Sequence, residues 1–66
     1  MKLKPVKWKQ FTFKLTLYDR NGLEERFING EIYKNGKYLT NETFEGYTKK
    51  EVIDKLKDIA LHYYYY

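Results

Sequence analysis

The chain has no cysteine and no serine, and a single histidine and a single proline in 66 residues. Without cysteine there is no disulfide, no thiolate nucleophile and no cysteine-ligated metal. Without serine, and with His62 alone near the C-terminus, no nucleophile–base–orienter arrangement is visible. No apolar run approaches the roughly 18 residues that a membrane helix needs. The basic start of the chain lacks the apolar stretch of a secretory signal. A cytoplasmic protein without membrane contact is expected. There is also no Ser/Gly/Pro-rich linker and no internal repeat, so residues 1–66 read as one domain, near the lower size limit for a single core.

What the chain does have is aromatic residues and positive charge. One residue in five is Phe, Trp or Tyr, and the formal net charge is +4. Hydrophobic residues at 42% and charged ones at 33% are globular proportions and argue against a disordered chain. The charge is unevenly placed. Lys2, Lys4, Lys7 and Lys9 face no acid within the first ten residues, whereas residues 11–66 hold nine basic and nine acidic side chains. The expectation is a basic arm over 1–9 attached to a neutral body.

From Gln10 to Tyr18 apolar Phe11, Phe13, Leu15 and Leu17 alternate with polar residues, the period of a half-buried strand. Asn21-Gly22 and Asn35-Gly36 then mark hairpin turns, since a type I′ turn needs positive φ at both central residues. Treated as two-residue turns, they set Phe13 opposite Gly30, Ile32 opposite Leu39, Tyr33 opposite Tyr38 and Phe27 opposite Phe44. One face then collects Phe11, Phe13, Leu15, Leu17, Ile28, Ile32 and Leu39. Three antiparallel strands over 10–46 form a meander.

Thr48-Lys49-Lys50-Glu51 reads as a capping box, with Tyr47 and Val52 at the hydrophobic-staple positions. Val52, Ile53, Leu56, Ile59, Ala60 and Tyr63 recur at helical spacing as one stripe. The predicted fold is therefore α+β, a three-stranded antiparallel meander packed on one C-terminal helix (β-β-β-α). The helix covers 48–63, and nothing stops it after His62. Whether Tyr63–Tyr66 prolong it or fray is left open by the sequence.

Catalytic and metal chemistry find no residues to carry them. Asp58 and His62 are four apart on the predicted helix, but a metal needs three or four ligands, and no nucleophile, phosphate loop or carboxylate pair stands out. We expect a non-enzyme without cofactor or metal. The outer sheet face is the informative surface. Its predicted aromatic pairs, Tyr33–Tyr38 and Phe27–Phe44, have no second helix to cover them, and contiguous exposed aromatics mark partner surfaces. The first expectation is a protein-interaction module, for example a phage or mobile-element inhibitor or accessory factor. Its anchors would be Phe27, Tyr33, Tyr38 and Phe44, with Glu31 and Glu42 setting orientation, against a protein partner or a second copy. The alternative is nucleic-acid binding by Lys2, Lys4, Lys7, Trp8 and Lys9 with Lys49 and Lys50, lysines neutralising phosphates and Trp8 stacking on a base.

Trp8, the strand Phe11–Tyr18, the turn Asp19-Arg20-Asn21-Gly22 and the helix opening Glu45-Gly46-Tyr47-Thr48-Lys49-Lys50-Glu51-Val52 carry a further signal. This pattern resembles the arm-type, AP2-like DNA-binding domains of phage and transposon tyrosine integrases. The resemblance implies a three-stranded sheet on one helix, with the outer sheet face entering the major groove. In that family the face is rich in Lys and Arg. Here the corresponding positions read Lys14 against Glu25, Glu31 and Glu42.

Overall fold

The computed structural model describes residues 1–19 and 26–65, and these form four strands and one helix. The strands are β1 (Val6–Trp8), β2 (Phe11–Asp19), β3 (Arg26–Lys34) and β4 (Lys37–Glu45), followed by helix α1 (Lys49–Ile59), which runs into a π-helical turn, Ala60–Tyr64. All neighbouring strands are antiparallel, in the order β1-β2-β3-β4.

The fourth strand is the main departure from the expected architecture. The basic arm is not a tail but an edge strand. Val6, Lys7 and Trp8 pair with Phe13, Thr12 and Phe11. Further out, Lys2 bridges Thr16, Leu3 N donates to Leu15 O at 2.9 Å, and Leu17 N donates to Met1 O at 2.8 Å. The two stretches differ in register by one residue, so Lys4 and Pro5 together oppose Lys14. A proline at such a bulge costs no ladder hydrogen bond. The hairpin between β1 and β2 turns on Lys9 and Gln10, with Lys9 at φ 56°, a conformation more often held by Gly or Asn. Without that punctuation the strand gives no hairpin signal.

Both predicted registers shift, in different ways. Between β2 and β3 the pairs are Phe13↔Ile32, Leu15↔Gly30 and Leu17↔Ile28, two residues away from a tight Asn21-Gly22 turn. That turn itself lies outside the described residues. A shift of two preserves the face of every side chain. It places Gly30 opposite Leu15 rather than Phe13. Between β3 and β4, Asn35 (φ 51°) and Gly36 (φ 82°) form the predicted turn, and Lys34↔Lys37 and Tyr33↔Tyr38 pair as expected. The register then slips, so that Ile32 faces Thr40 and Ile28 faces Phe44. Leu39 is the extra residue. Without the bulge, Leu39 and Phe44 would point to opposite faces, because they are five positions apart. With it, both pack against the core. Even part of the roughly 1.5–3 kcal/mol available from burying a Phe outweighs one irregular step in an edge ladder.

The core lies between the sheet and the helix. Phe11, Phe13, Leu15, Ile28 and Ile32 from the sheet meet Val52, Leu56 and Ala60, all buried, with Leu3, Val6, Trp8, Leu17, Leu39 and Phe44 around them. Thr48 caps the helix as predicted: its Oγ1 accepts from Glu51 N at 3.2 Å, and Glu51 Oε1 accepts from Thr48 N at 3.0 Å. The expected stripe holds through Ala60 and then fails. Tyr63 is exposed, and Tyr64 packs on the core instead. The wider π turn brings the residue four beyond Ala60 back to the packed side. Lys34 Nζ donates to Tyr64 O at 2.8 Å, supplying a cation where helix carbonyls lack partners.

Candidate functional site

Directly paired residues share a face, so the registers fix the outer surface of the sheet row by row. One lateral row is Lys7, Thr12, Tyr33 and Tyr38. The next holds Lys14, Glu31 and Asn41, and the third Lys2, Thr16, Asn29 and Thr43. Tyr18, Phe27 and Glu45 complete the face. Among the described residues, helix α1 packs on the opposite side of the sheet and no helix lies over these rows.

The rows are internally organised. The Tyr33 and Tyr38 rings meet edge to face with centroids 5.7 Å apart, and Lys14 Nζ lies 4.4 Å from the Tyr33 ring centre. Tyr33 OH donates to Glu31 Oε2 at 3.2 Å, Tyr38 OH to Asn41 Oδ1 at 2.7 Å, and Asn29 Nδ2 to Thr43 Oγ1 at 3.0 Å. Desolvation, followed by the neighbouring Glu31 carboxylate, raises the Tyr33 phenol above its ordinary value of 10.0. The proton therefore stays on Tyr33, donating to Glu31, throughout the physiological range. Tyr18 and Tyr38 are about half exposed, at 55% and 49%, and Tyr18 sits directly opposite Phe27. Charge divides laterally. Lys2, Lys7 and Lys14 occupy the β1–β2 half, and Glu31 and Glu45 the β3–β4 half.

Four of the six residues expected to bind a protein share this face: Phe27, Glu31, Tyr33 and Tyr38. The other two are corrected. The bulge at Leu39 turns Phe44 to the helix side, where it packs against the core and meets Tyr47 edge to face at 5.9 Å. Glu42 turns with it, opposite Gly30. Tyr18 replaces Phe44 as the partner of Phe27, and Asn41 and Thr43 take outer positions that a strict alternation denied them. Only the bulge reveals this, and no residue type announces it.

The nucleic-acid candidates are scattered. Lys2 and Lys7 lie on the outer face beside Lys14. Trp8 turns inward, stacked on Phe11 and Phe13 with ring centroids 6.2 Å away in each case. Lys57 Nζ and Lys9 Nζ stand 5.4 and 5.5 Å from its ring centre. Trp8 is thus half-buried against the core rather than standing free on the outer face. Lys9 also lies 5.8 Å from the Tyr65 ring. Lys4 is exposed at the Pro5 bulge, and Lys49 and Lys50 are exposed at the start of α1, away from the outer sheet face. Asp58 and His62 line an open recess with Ile59, Leu61 and Tyr63. Among the described residues no group of three or more His, Cys, Asp or Glu comes together to hold a metal. No described helix is long and apolar enough to cross a membrane.

No protein family, curated protein or solved structure matches the chain.

Proposed function

We propose that this is a small binding protein that engages a protein partner through the outer face of its four-stranded sheet. One observation carries the reading. Two cross-strand aromatic pairs, Tyr18–Phe27 and Tyr33–Tyr38, are displayed on a face that no described helix covers. Aromatic rings offer large contact area at low conformational cost and are enriched at interface cores. The anchors are Tyr18, Phe27, Tyr33 and Tyr38, with Glu31 holding the Tyr33 ring in place. Size and composition fit an inhibitor or accessory factor of the kind that phages and mobile elements encode. The test is capture from nuclease-treated lysate of the source cells by wild type and by the double variant Tyr18→Ala, Tyr38→Ala. Both side chains are half exposed, so the fold should survive while capture is lost. Equal capture by a folded double variant would reject the reading.

Nucleic-acid binding is favoured by a separate observation: β1 and the bridge from Lys2 to Thr16 lay Lys7 and Lys2 beside Lys14 on this same face. The resemblance to arm-type domains would place that face in a groove. Three phosphate contacts give a salt slope of about −3, and replacing Lys2 and Lys7 by Ala should reduce its magnitude by about 2. Absence of binding at low salt would dismiss this second reading.

A further inference from the structure

We infer that the partner for the outer face is a second copy of this chain, docked sheet to sheet about a two-fold axis parallel to the strands. The inference rests on the protein-binding reading above and names the occupant of the same face. It comes from the lateral division of charge. A two-fold axis running between β2 and β3 leaves each residue at its own level along the strands and exchanges left for right. The β1–β2 half of one copy then lies over the β3–β4 half of the other, the lysine half over the glutamate half.

The pairs that result are specific. Lys14 and Glu31 are directly opposite in the register, so Lys14 faces the partner's Glu31 while Glu31 faces the partner's Lys14. Four charges alternate in sign around the axis. Tyr18 faces the partner's Phe27, and Lys7 comes over the partner's Tyr38, a cation above a ring. An isologous interface demands such reciprocity, each contact occurring twice. The alternative axis, perpendicular to the strands and in the plane of the sheets, sets Lys14 over the partner's Lys14 and lays Lys2 and Lys7 over one another across the interface. Like charges there would oppose the pairing.

The area is adequate for a weak dimer. Three strands of nine residues and β1 of three, about 4.8 Å apart at about 3.3 Å per residue, present roughly 500 Å². Two copies would cover about 1,000 Å², the lower bound for a specific interface. Lys14, Glu31, Thr12, Thr16 and Asn29 make its centre polar, so the association is expected to weaken with salt.

Sedimentation equilibrium tests this on the full chain. Wild type should show a monomer–dimer equilibrium at low salt, with dissociation strengthened by about ten-fold or more when salt rises from about 0.02 to about 0.5 M. Lys14→Glu and Glu31→Lys should each be monomeric, since each sets like charges against one another twice. An equimolar mixture of the two should dimerise again, because two acidic side chains on one copy then meet two basic ones on the other. A wild type that stays monomeric up to about 1 mM overturns the inference, as does a folded variant that dimerises like wild type or a mixture that does not recover. Wild-type concentration dependence keeps the test decisive should a variant fail to fold. Loss of capture by Tyr18→Ala, Tyr38→Ala from a wild type that is monomeric would leave the protein-binding face standing with a different partner, and would overturn the second copy as its occupant. A monomer that binds a DNA duplex through Lys2, Lys7 and Lys14 would replace both.

Discussion

Gly30 lies beneath the helix, and a methyl group there would come within 2.6 Å of Leu56 Cδ1 and 3.3 Å of Leu15 Cδ2. Its role is steric: it lets a large helix side chain rest on the sheet backbone. Gly30→Ala should overpack this contact and cost about 1–3 kcal/mol, seen as a fall in melting temperature of several degrees or more. The Thr48 cap is a second such position. Thr48→Ala removes an acceptor for a helix-end amide and should cost about 1 kcal/mol. The Glu51 carboxylate is held below its ordinary value of 4.5, first by its hydrogen bonds with Thr48. A depressed carboxylate contributes stability above its unfolded value, and that contribution disappears as pH falls through the folded one. Thermal melts of wild type and Glu51→Gln should therefore differ at pH 7 and converge in acid. Curves equally separated at both pH values would show that Glu51 acts through something other than its charge.

Which features could be read in advance depended on how each strand and helix announces itself. β2 was legible because four apolar residues alternate without interruption. The helix start was legible because Thr48 and Glu51 stand at capping-box spacing, and the Asn35-Gly36 turn because few residues tolerate its geometry. β1 was not. Its turn uses Lys9 and Gln10, its pairing is broken at Pro5, and its lysines look like a solvated tail. An edge strand with lysines and proline is nonetheless a common way of protecting a sheet from unwanted pairing. The reversal of β4 past Leu39 was equally hidden, because a bulge responds to what the core can absorb. Phe44 measures that response. Phe44→Ala should cost about 1–2 kcal/mol, below the full penalty for a completely buried Phe, while leaving partner binding intact. Tyr38→Ala should do the reverse. Melting temperature and binding measured on the same two variants would separate the faces. Loss of binding without loss of stability in Phe44→Ala would return that ring to the outer surface.

The whole chain divides its labour between two faces of one sheet. The side turned to the helix carries the core and, with Trp8 and Phe44, more aromatic bulk than alternation alone assigns to it. The other side carries polar and aromatic residues arranged in rows, with lysines toward one edge and glutamates toward the other. The positive charge that first suggested nucleic acid is shared out by this folding. Lys2 and Lys7 reach the outer face, Lys9 lies against aromatic rings, and Lys49 and Lys50 begin helix α1. The candidate site was therefore half legible: its strands and most of its anchors followed from the turns, whereas its lateral polarity required β1 and the bulge. Photo-crosslinking tests most directly whether this face is the docking surface. A benzophenone amino acid placed at position 38, on the outer face, should give a discrete adduct, and the same group at the exposed helix position 61 should give none. An adduct of twice the 8.1 kDa chain mass would identify a second copy, and any other discrete mass a different protein. Adducts formed at position 61 and absent at position 38 would contradict the account.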